Sequence, residues 1–147
     1  MTEQGAQGRG LARTTAWRTL LVVPVLGVVL GGCGGSGERG SDASAAAAGF
    51  ERAIGTGDTT AVCAALAPDT RSEVEESGKG ACPDAIPEAE LPVGGSVLTV
   101  DVYGRQARVV LAADTLFLSQ FADGWKIVAA GCRVLTGRPY QCSIKGG

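Results

Sequence analysis

The hydrophobic pattern of the sequence changes period once, near Gly95, and that change limits the fold more than any other feature. From Ser41 or Asp42, either of which can cap a helix, Ala46, Phe50 and Ala53/Ile54 recur at helical spacing through an alanine-rich stretch. Gly55-Thr56-Gly57 stops it. Asp58 then caps a second helix over TTAVCAALA, with Val62, Ala65 and Leu66 on one face and Cys63 beside them. Pro68-Asp69 opens a third through TRSEVEES, whose Glu73, Glu75 and Glu76 make a solvated surface, and Gly78-Lys79-Gly80 ends it. A short turn is expected over 81–86, and Pro83, Pro87 and Pro92 mark a loop to about Gly95. Beyond it the period falls to two. Leu98, Val100 and Val102 alternate with Thr99 and Asp101, and after Gly104 turns the chain, Ala107, Val109 and Leu111 alternate with Gln106 and Arg108. Residues 115–121 and 125–133 supply two further strands, joined by Ala122-Asp123-Gly124, a strong hairpin signal. Helices followed by an antiparallel meander predict an α+β domain whose N-terminal helices pack on one face of a curved antiparallel sheet.

The segment before this pattern reads as an address. Arg9, Arg13 and Arg18 against Glu3 precede an apolar core, LLVVPVLGVVL, over 20–30. Eleven residues broken by Pro24 and Gly27 would span only about 16 Å as a helix, against about 30 Å of hydrocarbon, too short for a permanent span. The core ends in Leu30-Gly31-Gly32-Cys33, which resembles the lipobox of bacterial lipoprotein signal peptides. On that resemblance Cys33 becomes the lipidated N-terminus, carrying diacylglycerol and palmitate. The alternative is an ordinary secretory signal with a chance cysteine. No Arg-Arg pair is present, so general secretion is expected. The organisation that follows is a signal peptide over 1–32, a lipidated Cys33 with a flexible Gly/Ser tether over 33–41, and one domain over 42–147. About eight tether residues would reach roughly 15 Å, enough to hold the domain clear of headgroups.

Beyond Cys33 the chain keeps four cysteines, Cys63, Cys82, Cys132 and Cys142. In an exported domain an even set implies two disulfides. Three connectivities are formally possible, and the local pairs Cys63–Cys82 and Cys132–Cys142 are expected because each closes one neighbouring loop. No C-x-x-C occurs and the 147-residue chain has no histidine, which argues against a metal site, a thiol oxidoreductase and histidine-based acid/base catalysis. Residues 33–147 hold 10 Lys+Arg and 14 Asp+Glu, a net charge of −4. That balance argues against nucleic acid as a partner and against a polybasic membrane anchor, leaving the lipid on Cys33 to hold the protein at the membrane.

Phe50-Glu51-Arg52-Ala53-Ile54 with Gly57-Asp58, Ala61-Val62-Cys63-Ala64-Ala65-Leu66-Ala67-Pro68, Asp123-Gly124-Trp125-Lys126 and Pro139-Tyr140-Gln141-Cys142 occur in that order over most of the mature chain. Together they resemble small secreted lipoproteins of the actinobacterial type with an NTF2-like, cystatin-related cone. Ten arginines to three lysines in a chain rich in Ala and Gly also suit a GC-rich coding background. The resemblance implies a cone of helices on a curved sheet; the lipobox, the tether and the missing catalytic groups point to a non-enzymatic binding or accessory module at the outer face of the cytoplasmic membrane, whose partner is a cell-envelope protein or a small apolar ligand. Members of such folds also include enzymes and carriers of apolar ligands, so the alternative is a small-molecule carrier or enzyme using the cone.

The residues that could serve a pocket are few. Asp101 and Asp114 are the strand-borne carboxylates, Tyr103 and Tyr140 the only phenols, and Phe117 and Phe121 share one strand parity. That parity makes the phenylalanine face either the hydrophobic core under the helices or the mouth of an open cone, with Asp101 or Asp114 at its rim. Their ordinary readings are structural: Asp101 alternates to the polar side, Asp114 suits a turn, and Tyr140 lies near a disulfide. No phosphate loop, serine nucleophile elbow or acidic metal cluster is present, and no cofactor is expected.

Overall fold

The computed structural model describes residues 35–146; the signal peptide and Cys33 lie outside the described residues. Four α-helices, α1 (Ser36–Thr56), α2 (Thr59–Ala65), α3 (Pro68–Ser77) and α4 (Cys82–Ala85), run into a 3-10 turn (Ile86–Ala89). The strands follow: β1 (Val97–Tyr103), β2 (Gln106–Leu111), β3 (Thr115–Phe121), β4 (Gly124–Ala130), β5 (Arg133–Leu135), β6 (Arg138–Gln141) and β7 (Ile144–Lys145). The expected α+β division at Gly95 is the one observed. An antiparallel five-stranded sheet of order β1-β2-β3-β4-β7 carries the helices on one face, and β5–β6 form a separate two-stranded hairpin.

Helix α1 begins at Ser36, before the Ser41 or Asp42 start expected from capping preference. Its first turn closes locally: the Glu38 N–H donates to the Gly35 carbonyl at 3.0 Å, and the Gly35 N–H donates to Glu38 Oε2 at 3.2 Å. A carboxylate there also suits the positive end of the helix dipole. The segment read as a flexible tether is therefore helical from Ser36 to Ser41. The helix buries Ala43, Ala47, Phe50 and Ala53 in one stripe, with Ala46 and Ile54 at its flanks, and alanines let it lie close to the sheet. Gly57, at φ +68°, ends it in the left-handed conformation that glycine adopts without a Cβ penalty. Asp58 then caps α2 by accepting from the Ala61 N–H at 3.0 Å.

The helices after α1 are hooked onto the β4 edge through polar groups. The Ala67 N–H donates to the Ile127 carbonyl at 2.8 Å, and the fully buried Thr70 hydroxyl donates to the Val128 carbonyl at 3.0 Å. Further along the same edge β7 pairs with Ala129 and Ala130. Disulfides join Cys63 to Cys82 and Cys132 to Cys142. The first ties α2 to α4. The second closes the base of the β5–β6 hairpin.

Two details of the sheet differ from simple alternation. A register shift between Val97 and Thr99 inserts an extra residue, so Val97 turns inward and Leu98, expected on the apolar side, is 63% exposed. On β3 the core positions are Leu116 and Leu118, paired with Val109 and Ala107. Phe117 therefore faces away from the helices, and Phe121, at the end of β3, lies outside the core beside the α2–α3 segment, contrary to the reading that put both in the core or a cone mouth. The run Leu116-Phe117-Leu118 is apolar on both faces, and cross-strand register settled which face was buried. The core under the helices is completed by Leu111, Trp125, Ile127, Ala130 and Ile144.

Phe50→Ala, at a site that is fully buried, is expected to cost about 3–5 kcal/mol of unfolding free energy, whereas Leu98→Ala stays within about 0.5 kcal/mol because the bulge has turned that leucine outward. Urea unfolding of the two variants, followed by Trp125 fluorescence, checks both.

Candidate functional site

Two clusters of polar side chains stand apart from the ordinary surface. The first lies under the loops at the start of β1 and β3. Asp114 leaves β2 through a turn in which the Leu111 N–H donates to its carbonyl at 2.8 Å. Its buried carboxylate then accepts three backbone N–H groups: Thr115 (2.6 Å) and Cys132 (2.7 Å) on Oδ1, and Gly131 (2.9 Å) on Oδ2. Gly131 sits at φ +67°, which aims two successive N–H groups at one carboxylate, and a Cβ there would meet Ser143 at 2.6 Å. From α1, the buried Glu51 accepts the Gly94 N–H on Oε2 at 2.6 Å, while Oε1 has no hydrogen-bond partner. Burial pushes the Glu51 carboxyl above its ordinary value and the neighbouring Asp114 charge adds to this, against the lowering effect of the Gly94 and Gly95 N–H groups.

The second cluster lies on the sheet face away from the helices. Arg108 donates to Asp101 Oδ2 from Nη2 at 2.7 Å and from Nε at 3.2 Å, and its Nη1 reaches the Tyr140 hydroxyl at 3.5 Å. The Tyr140 ring meets Phe117 edge to face with centroids 5.0 Å apart. Arg108 pairs with Asp101 on one side and Phe117 on the other, so Tyr140 folds the disulfide-closed hairpin back over the middle of the sheet. The same hairpin exposes Val134 (71%) and Leu135.

The four residues named for a pocket thus do not converge. Asp101 and Phe117 share the outer cluster, Asp114 holds backbone in the interior, and Phe121 lines a groove of about 280 Å³ with Leu66, Arg71 and Lys126. A larger groove, about 430 Å³, runs between α3, the 3-10 turn and β7 past Glu73, Ser77, Glu88 and Lys145. Neither groove is lined by Asp101, Asp114 or Phe117. Among the described residues no three acidic or cysteine side chains are grouped to hold a metal ion.

Sequence reasoning missed Glu51 and the Arg108 partnership. The second had a signal: a two-residue turn at Gly104-Arg105 sets Tyr103 opposite Gln106, and hence Asp101 opposite Arg108. Glu51 had only its place on the alanine stripe, one residue after Phe50.

Removing the junction should be costly. Asp114→Ala leaves three buried N–H groups unpaired and is expected to lower stability by at least about 3 kcal/mol in urea unfolding. Glu51 carries a pH signature. Its folded-state value lies above the ordinary 4.5, so the stability tied to its proton is complete below that pH and is lost as pH rises through the folded value. Glu51→Gln should flatten the fall in urea midpoint on going from pH 5 upward; an unchanged slope would contradict this assignment.

No family model matches the chain, and no curated protein or solved structure matches it.

Proposed function

We propose that the chain is an extracytoplasmic lipoprotein, held at the outer face of the cytoplasmic membrane by lipid on Cys33, and that its domain is an NTF2-like cone acting as a non-enzymatic binding or accessory module. The observation that carries the binding role is the β5–β6 hairpin. An isolated two-stranded hairpin is only marginally stable in water, yet here the Cys132–Cys142 bond closes its base and Tyr140 packs it against Phe117. A loop of that size is constrained by about 3 kcal/mol in the chain-entropy model. Val134 and Leu135 are therefore presented to solvent on a fixed backbone, where a partner would gain apolar contact without having to order the loop.

Two further features support the reading. Two disulfides suit an oxidising compartment, and helices on one face of a curved antiparallel sheet suit an NTF2-like cone. A carrier of apolar ligands would need an apolar cavity inside the cone; of the residues expected to line it, Phe117 lies on the opposite face and Phe121 in an open groove at the end of β3.

Cys33→Ala is expected to move the protein from the membrane to the soluble extracytoplasmic fraction, with the lipid mass absent from the Cys33 peptide. A photo-cross-linking side chain placed at Val134 in the membrane-held protein should give one discrete protein adduct that Leu135→Ser weakens severalfold while leaving Tm unchanged. No adduct at position 134, with the protein folded and lipidated, would overturn the binding role of the hairpin.

A further inference from the structure

The start of α1 at Ser36 leaves almost no chain between the lipid attachment point and the folded domain. Cys33 is two residues before Gly35, so its Cα lies within about 7.6 Å of the Gly35 Cα whatever path the backbone takes. The first turn of α1 is in turn fixed to one end of the sheet, where Arg39 Nη1 donates to the Gly104 carbonyl of the β1–β2 turn at 3.2 Å. Cross-strand register puts the β3–β4 turn at that same end: Tyr103 pairs with Gln106, Gln106 with Ser119 and Ser119 with Lys126. Arg105 ties the two turns together through Nη2 and Nε on the Gln120 carbonyl, at 2.6 and 3.1 Å.

This end has the side chains of a membrane interface. Tyr103 is 68% exposed and Phe121 is 36% exposed, one at each turn, and neither belongs to the core. A tyrosine with its ring in the acyl boundary and its hydroxyl among headgroups is at home there. Arg39 and Arg105 flank the aromatics, and each guanidinium is bound to a single carbonyl; Arg39 Nε is buried, so the donors left for phosphate oxygens are those of the outer guanidinium nitrogens. The charges at this end, Glu38, Asp42 and Asp123 against Arg39, Arg105 and Lys126, balance, and Arg71, which lines the groove beside Phe121, is paired with Glu75, while the domain as a whole carries −4. Its excess acids lie on α3, α4 and the 3-10 turn: Asp69, Glu73, Glu75, Glu76, Asp84 and Glu88. An anionic surface would repel those elements and leave the Tyr103 end as the one that approaches.

We propose that the β1–β2 and β3–β4 turns form a membrane-docking face: it seats on the phospholipid surface that holds the Cys33 lipid, with Tyr103 and Phe121 entering the headgroup–acyl boundary and Arg39 and Arg105 at phosphate depth. The proposal rests on the lipid anchoring of Cys33 and adds to it a fixed orientation. With α1 starting three residues after the anchor, the domain stands on this face instead of floating above the bilayer, and its far end, where Gly94, Asp114 and Gly131 meet, points away from the membrane.

The test uses the full chain processed in a bacterial host and reconstituted in phosphatidylethanolamine/phosphatidylglycerol vesicles brominated near the glycerol end of the acyl chains. Trp125 is the only tryptophan outside the signal segment and is buried in the core, so its emission in the unsubstituted protein, recorded in both kinds of vesicle, is the background to subtract. In Tyr103→Trp the added emission should fall roughly twofold in brominated against plain vesicles, as expected for a side chain about 5–10 Å into the boundary. In Val93→Trp, an exposed position at the far end, it should not change. Phe121→Ser should reduce the quenching at position 103 without altering Tm. Equal quenching at positions 93 and 103, or none at either, with lipid mass present on Cys33, overturns the docking face alone. A Cys33 peptide without lipid overturns the anchoring and the docking face together.

Discussion

The carboxylate of Asp114 holds backbone that would otherwise end in unpaired buried donors. It accepts from the start of β3 and from the two residues that leave β4, so the chain can bend sharply at Gly131 inside the protein. Everything C-terminal depends on that bend. Cys132 is placed to bond Cys142, the hairpin between them folds back onto Phe117 and Arg108, and β7 returns to complete the β4 edge. A buried charge is tolerated only when it is hydrogen-bonded, and three N–H groups meet that condition. Glu51, beside it on α1, is held by backbone N–H groups at one oxygen only, and burial next to a second carboxylate favours its protonated form.

The sequence was informative where local chemistry decides the backbone. Asp58, Pro68 and Asp123-Gly124 mark a helix cap, a first helical residue and a hairpin, and each is found where its chemistry puts it. The cysteine pairs follow the same locality. Reading failed where two segments distant in sequence had to agree. Leu116-Phe117-Leu118 offers a hydrophobic face on either side, and only pairing with Ala107 and Val109 chose the leucines. The bulge at Leu98 reverses the parity of β1 at its first residues, and nothing in Ser96-Val97-Leu98 announces it. The start of α1 was missed for another reason: Gly and Ser have poor helix propensity, yet Glu38 closes the first turn and Arg39 anchors it to Gly104.

Of the candidate site, individual residues were legible and their grouping was not. Asp101 and Phe117 were singled out as possible rim and lining of one pocket, and the structure joins them through Arg108 and Tyr140 on an outer surface. Asp114 was read as a turn residue, which it is, but its connection to Gly131 and Cys132 spans a sequence distance no local pattern records. The polar chemistry is therefore spent mainly on holding loops and the hairpin in place, and the surfaces left over are the hairpin tip, the two grooves and the aromatic turns.

The packing of α1 also sets when the domain can form. Its buried stripe lies against β1, β2 and β4, elements that follow it by some dozens of residues, and β7, which completes the β4 edge, comes last in chain order. A chain that emerges N-terminus first thus presents α1 long before the strands that cover it arrive. Contacts of such long range postpone the cooperative transition. The domain would lock only once β7 had emerged to complete the β4 edge.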